Sequence, residues 1–273
     1  MTTSPSPAIS AEAVPPAPPR VETPAAPLTG VLSPSVAAAR YAFSDSSAGT
    51  MSPTVGDGDH TRHRAALAAA VGVAPDRIAW MDQVHGDVVV TATAPADPPP
   101  ACDGVVTTEP GLGLGVLAAD CVPVLLASPG GVAAAHAGRA GVVNGVVGAT
   151  ARRLREVTGD DVTDRDVVLG PAIGPCCYEV SEDVADEVVA AIGGAVGRRV
   201  RTTTTWGTTS VDLPGAVVAQ LDVLGVHRIR RAGACTRCGG RDRWFSHRAT
   251  LAEGRPAGRH AGVVVHLAGG RRA

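Results

Sequence analysis

Apolar positions along this chain follow three patterns. Residues 1–28 have no periodicity and are rich in Pro, Ala, Ser and Thr. Such a segment buries too little apolar surface to offset the entropy of ordering it, and it reads as a disordered tail. From there, folding is expected to begin near Val31 and to occupy residues 29–273. Within that span, helical spacing recurs. His60–Val71 predicts a helix stopped by Gly72, with Pro75 beyond. Residues 141–158 place Val142, Val143, Val146, Val147 and Leu154 on one face opposite arginines, predicting one continuous helix whose free starting amides can receive an anion. Ser181, followed by Glu182 and Asp183, caps a helix to Ile192 that Gly193 and Gly194 end. Asp212 and Pro214 start another, running to Leu224.

The third pattern is short apolar runs bounded by turn residues, read as strands at 40–44, 77–81, 87–91, 102–107, 122–127, 132–135, 166–170, 228–232 and 262–267. The residues between 235 and 259 read as a loop. The stretch from Gly115 to Gly141 organises the rest. Ser128-Pro129-Gly130-Gly131 is a turn signal between two of these runs. A hairpin centred between Pro129 and Gly130 sets Cys121 opposite Gly138 and places His136 diagonally from Cys121 on the same face. Thiol and imidazole are then neighbours. Asp120, an acid at the end of an apolar run, needs a partner or solvent.

With 273 residues, 45% of them hydrophobic, the chain can bury one large core or two small ones. A net charge of −2 gives no reason to expect nucleic acid or an anionic membrane as partner. Aromatic residues at 3% leave few platforms for stacking bases. No apolar run reaches the roughly 20 residues that span a bilayer, and no secretory signal is recognisable. Six cysteines in such a chain suggest reduced thiols and a cytoplasmic setting.

Candidate chemistry concentrates on His85, Cys121 and His136. One thiolate and two imidazoles suit a zinc site with a fourth position open. A nucleophilic Cys121 activated by His136 and oriented by Asp120 is the competing reading. The residue pattern also admits a buried cysteine acting as a small hydrophobe. The glycines of Gly111–Gly115 lack a following helix start and do not form a phosphate loop. Cys235-x-x-Cys238 and Cys176-Cys177 are read as free thiols, with a structural metal site or a redox pair as alternatives.

The motifs QVHG (83–86), ADCVPVLL (119–126), AAHAG (134–138), GPAIGPCCYEV (170–180), CT (235–236), FSHR (245–248) and GR (258–259) occur together and in order. The chain thereby resembles the laccase-domain family, also described as multicopper polyphenol oxidase-like proteins, purine nucleoside phosphorylases or peptidoglycan editing factors. That resemblance implies a single α+β domain, layered α/β/β/α, with mixed sheets flanked by helices. It implies a metal at His85, Cys121 and His136, zinc with copper possible. It further implies phosphorolysis of adenosine, inosine and methylthioadenosine, with adenosine deamination as a second activity. Cys121, Asp120 and His136 would then be catalytic, and Arg64, Gln83, Arg139, Arg248 and Arg259 would bind nucleoside and phosphate in a monomer or homodimer. The alternatives are a copper-dependent polyphenol oxidase or a peptidoglycan-precursor editing protein. The family usually reads HAGWRG where this chain reads HAGRAG. Arg139 occupies the Trp place and Ala140 the Arg place. Asp45, His63 and Val217 depart from the family's usual Arg, Asn and Asn.

Overall fold

The computed structural model describes residues 39–161, 165–240 and 243–267. The tail at 1–28 and the expected start near Val31 lie outside these residues. Strands, in chain order, are β1 (Ala39–Phe43), β2 (Ile78–Ala79), β3 (Val89–Thr91), β4 (Gly104–Thr107), β5 (Gly113–Ala118), β6 (Val122–Ser128), β7 (Gly131–Ala137), β8 (Asp166–Leu169), β9 (Arg201–Thr203), β10 (Thr209–Val211), β11 (Arg228–Arg231) and β12 (His260–His266). The helices are α1 (His60–Val71), α2 (Arg139–Asn144), α3 (Val146–Thr158), α4 (Glu182–Ile192), α5 (Gly194–Val200), α6 (Leu213–Val223) and α7 (His247–Glu253). No described helix is long and apolar enough to cross a membrane.

Two mixed sheets face each other. One has six strands in the order β11-β8-β6-β7-β4-β3, the other four in the order β1-β12-β5-β2. Both β6 and β7 are buried along their whole length, because the sheet they centre is covered on both faces and therefore reads as continuous apolar runs. Alternation persists in what each side chain touches. Val122, Val124, Leu126, Ala133, Ala135 and Ala137 pack with α2, α3, α4 and α6. Leu125, Ala127, Val132 and Ala134 fill the gap between the sheets with Phe43, Leu114, Val116 and Val264. On the outer face of the smaller sheet, Leu67, Ala68 and Val71 of α1 meet Ala42, Ile78, Val263 and Val265. The layering is the α/β/β/α order that the resemblance implies.

The largest departures from the sequence expectation lie among the helices. The helix expected over 141–158 is two helices. Gly145, at φ 85°, ends α2 and begins α3, a left-handed conformation that glycine adopts without strain. The two glycines that end α4 also start α5, with Gly194 at φ 55°. Gly197 lets α5 approach closely, since a Cβ there would stand 2.3 Å from the Val189 carbonyl oxygen. The expected loop at 235–259 contains α7, whose Ser246 accepts a hydrogen bond from the Ala249 amide at 3.1 Å.

Candidate metal centre

The ladder sets Cys121 and His136. Strands β6 and β7 pair with Val122 opposite Ala137, Pro123 opposite His136 and Ser128 opposite Gly131, the register expected from the turn. Cys121 and His136 therefore share the face that looks into the inter-sheet gap, at the end where β6 begins. On the other side of β7, β4 pairs Gly104 with Ala135, which brings Asp103 to His136. The His136 amide donates to the Asp103 carbonyl at 2.8 Å, and His136 Nδ1 lies 2.8 Å from Asp103 Oδ1. A carboxylate only accepts, so Nδ1 carries the proton and Nε2 is left for a metal.

His85 comes from the loop between β2 and β3, and that loop is held on both sides. Amides of Val84, His85 and Gly86 donate to the Asp103 carboxylate at 3.1, 3.0 and 2.7 Å. The Gln83 side chain bonds the amide and carbonyl of Leu117 at 2.7 and 2.8 Å. Both ends of its amide are thus engaged with β5, so Gln83 positions the His85 loop at the edge of the cavity. Among the described residues, two that are not glycine have left-handed backbone, His85 at φ 62° and Asp120 at φ 90°. Each such conformation costs about 1–3 kcal/mol and persists where neighbours impose it. Both flank this centre.

Cys121 Sγ lies 3.8 Å from His85 Nε2, the two imidazole rings meet edge to face at 4.7 Å, and the donor atoms of all three residues fall within 4.8 Å of one another. Bonds of about 2.0–2.3 Å to a tetrahedral ion set donors about 3.3–3.8 Å apart, so the three fit zinc with a small inward adjustment. The charges fit as well. Burial pushes the Cys121 thiol up, but the His136 charge and hydrogen bonds from both histidines outweigh it and bring it down to about 6. Burial lowers His136, and the Cys121 charge and the Asp103 hydrogen bond reverse this, raising it to about 9. With metal removed, Cys121 is a thiolate beside an imidazolium from about pH 6 to about pH 9. Its alkylation by iodoacetamide is expected to rise tenfold per pH unit below about 6 and level off above. Peptide mapping of the alkylated chain checks this. A midpoint at the ordinary thiol value near about 8.5 would remove the ion pair.

Asp120 is the pivot of the cleft wall. Its Oδ1 accepts from the Thr236 hydroxyl at 2.6 Å, its Oδ2 from the Arg248 amide at 2.7 Å and its carbonyl from the Ile173 amide at 2.9 Å. Both carboxylate oxygens are thus occupied in joining the start of β6 to Thr236 and to α7, while the backbone carbonyl joins it to the loop at 171–180. A cavity of about 790 Å³ opens over the centre, lined by His85, Asp120, Cys121 and His136, and also by Gln83, Arg139, Tyr178, His247, Arg248 and Arg259. Arg139 is ion-paired to Glu187. Arg248 stands over the Tyr178 ring and donates to the Glu179 carbonyl at 2.8 Å. Desolvation lowers the pKa of Arg259. Arg64 is not among the residues lining this cavity: its guanidinium stacks 4.0 Å from the Trp80 ring centre and bonds the Met51 carbonyl at 2.8 Å. Sequence reasoning missed Asp103. The signal was there, since an acid between Cys102 and Gly104 at the head of an apolar run needs partners.

A two-sheet, four-layer α+β fold with a thiolate–imidazole centre at one end of the inter-sheet gap defines the class. The family model for the multi-copper polyphenol oxidoreductase laccase matches residues 35–267. The chain belongs to that family. It is 45% identical over 210 residues to a purine nucleoside phosphorylase of Streptomyces coelicolor, covering 75% of this chain and 84% of the relative. It is 44% identical over 205 residues to one of Mycobacterium tuberculosis, covering 74% and 77%. The crystal structure of YlmD from Geobacillus stearothermophilus superposes with a TM-score of 0.76 at 28% identity, over 86% of this chain and 94% of that one.

Proposed function

We propose that this chain is a zinc-dependent purine nucleoside phosphorylase acting on adenosine, inosine and methylthioadenosine, with adenosine deamination as a second activity. The observation that carries the reading is the cavity itself, in which the His85, Cys121 and His136 donors and the side chains of Arg139, Arg248 and Arg259 line one space. Phosphorolysis joins a phosphate oxygen to ribose C1′ as the bond from C1′ to the purine breaks, so it needs cationic groups for phosphate beside a nucleoside pocket. Arg248 and Arg259 bind the anion. Arg139, held by Glu187, offers charge one position before the family's usual arginine. Zinc, when bound, supplies Lewis acidity to the site, which suits deamination at purine C6 as well. Asp103 holds the His136 proton on Nδ1, and Asp120 fixes the cleft wall. The free cysteines fit a reducing, cytoplasmic setting.

Zinc-loaded protein given inosine and phosphate is expected to release hypoxanthine, and given adenosine alone to release ammonia. Intact metal binding with no base release would sink the phosphorylase reading. Replacing Arg259 with Ala is expected to raise KM for phosphate by about 10–100-fold, the loss of a hydrogen bond from a charged group. An unchanged KM would remove Arg259 from the anion site. Copper-dependent phenol oxidation is the competing chemistry. Four other described histidines bond away from the centre, His63, His260 and His266 to backbone carbonyls and His227 to Asp222, which supports a single ion at the His85 centre over a multi-copper array.

A further inference from the structure

The described cysteines are all free, and four of them, read from the sequence as free thiols with a metal site or a redox pair as alternatives, lie together outside the His85 centre. The sulfurs of Cys176, Cys177, Cys235 and Cys238 all fall within 4.8 Å of one another, with Cys176 and Cys238 at 3.4 Å. Their two loops are joined by backbone, since Ala172 bridges to Cys235 and the Thr236 amide donates to the Ala172 carbonyl at 3.0 Å. The Gly174 amide donates to the Cys235 sulfur at 3.2 Å, and a donor placed in this way supports a metal-bound thiolate. The Cys235–Cys238 turn is tight. A Cβ on Gly239 would stand 2.5 Å from the Ala234 side chain and 2.9 Å from the Cys235 backbone.

We propose that Cys176, Cys177, Cys235 and Cys238 form a second metal site, a tetrathiolate that holds one zinc ion and fastens the loop at 171–180 to the segment leading into α7. Four sulfurs at about 2.3 Å from one ion stand about 3.8 Å apart, within the spacing found, and thiolates in a tetrahedral set select a soft ion over magnesium or calcium. The role follows from Thr236, the neighbour of Cys235, whose hydroxyl donates to Asp120 beside Cys121. The second ion thus braces the cleft wall and does not touch substrate. This site stands whether or not the chain is a phosphorylase.

Protein purified anaerobically and loaded with zinc is expected to hold two ions per chain. In Cys121→Ser, which lacks the thiolate of the first centre, cobalt(II) is expected to bind with a sulfur-to-cobalt charge-transfer band, and that band is expected to vanish in Cys121→Ser/Cys238→Ser. Cys238 is exposed, so its replacement leaves the core intact, and the zinc count on the unaltered chain needs no variant at all. A single zinc in the unaltered chain that is lost in Cys121→Ser, no charge-transfer band in Cys121→Ser, a band that survives in the double variant, or a two-hydrogen mass loss marking a disulfide among the four would each overturn the proposal.

Discussion

Asp103→Asn is expected to weaken zinc binding by about 10–100-fold, the range found when the group behind a ligating histidine is lost. The reason is specific to how the carboxylate divides its work. Oδ1 takes the His85 amide and His136 Nδ1, while Oδ2 takes the amides of Val84 and Gly86. An asparagine can keep only one of those oxygens. If its NH₂ replaces Oδ1, it donates to His136 Nδ1, moves the ring proton to Nε2 and blocks the nitrogen that would bind metal. If it replaces Oδ2, it confronts two amides and releases the loop that carries His85. Either orientation costs one imidazole ligand. Asp103→Ala goes further, leaving three amides and a histidine unpaired where the residue is 0% exposed, and about 3–5 kcal/mol of stability is expected to go with it. Competition against a chromophoric chelator and denaturant unfolding measure the two effects. Zinc affinity unchanged in Asp103→Asn would show that the carboxylate does not organise the centre.

How legible this site was in the sequence depended on how local its causes are. The Ser128–Gly131 turn and the two apolar runs beside it fix a register, and the register alone puts Cys121 and His136 on one face. His85 is different. Its position depends on a carboxylate 18 residues away, and neither apolar spacing nor turn chemistry marks that pairing, so the sequence offered His85 as a candidate ligand from its place between two strands without showing what holds it. The surroundings of Arg64 were hidden for a similar reason. Its stacking on Trp80 joins α1 to the segment following β2, a contact that helical spacing does not encode. The apolar runs marked most of the strands, while the order of the layers came from the resemblance to a family. The break at Gly145 was not legible, because Val142, Val146 and Leu154 keep their helical spacing across it. The four cysteines could be grouped from their motifs only as an alternative to free thiols, since two loops meet there only after both sheets have formed.

Gly138→Ala is expected to separate metal binding from folding more cleanly than loss of any ligand. Gly138 caps α2 with φ −74° and ψ 173°, an extended backbone that any residue adopts, so alanine brings no conformational strain. What it brings is a methyl group 2.9 Å from His85 Cδ2 and 3.0 Å from Cys121 Sγ. Those two side chains must then move apart, and they are the ligands whose donor atoms stand at 3.8 Å. Crowding of this kind costs about 1–3 kcal/mol. His85 is exposed and can swing outward, so the strain is relieved at the metal centre, while the sheet ladder around His136 stays intact. At about 1.4 kcal/mol per tenfold change, that cost corresponds to a zinc affinity lowered about 5–150-fold, with unfolding of the metal-free chain little altered. Titration of zinc into the stripped protein, read beside its denaturant midpoint, tests both halves. If the variant binds zinc as tightly as the parent chain, His85 and Cys121 do not close on a shared ion.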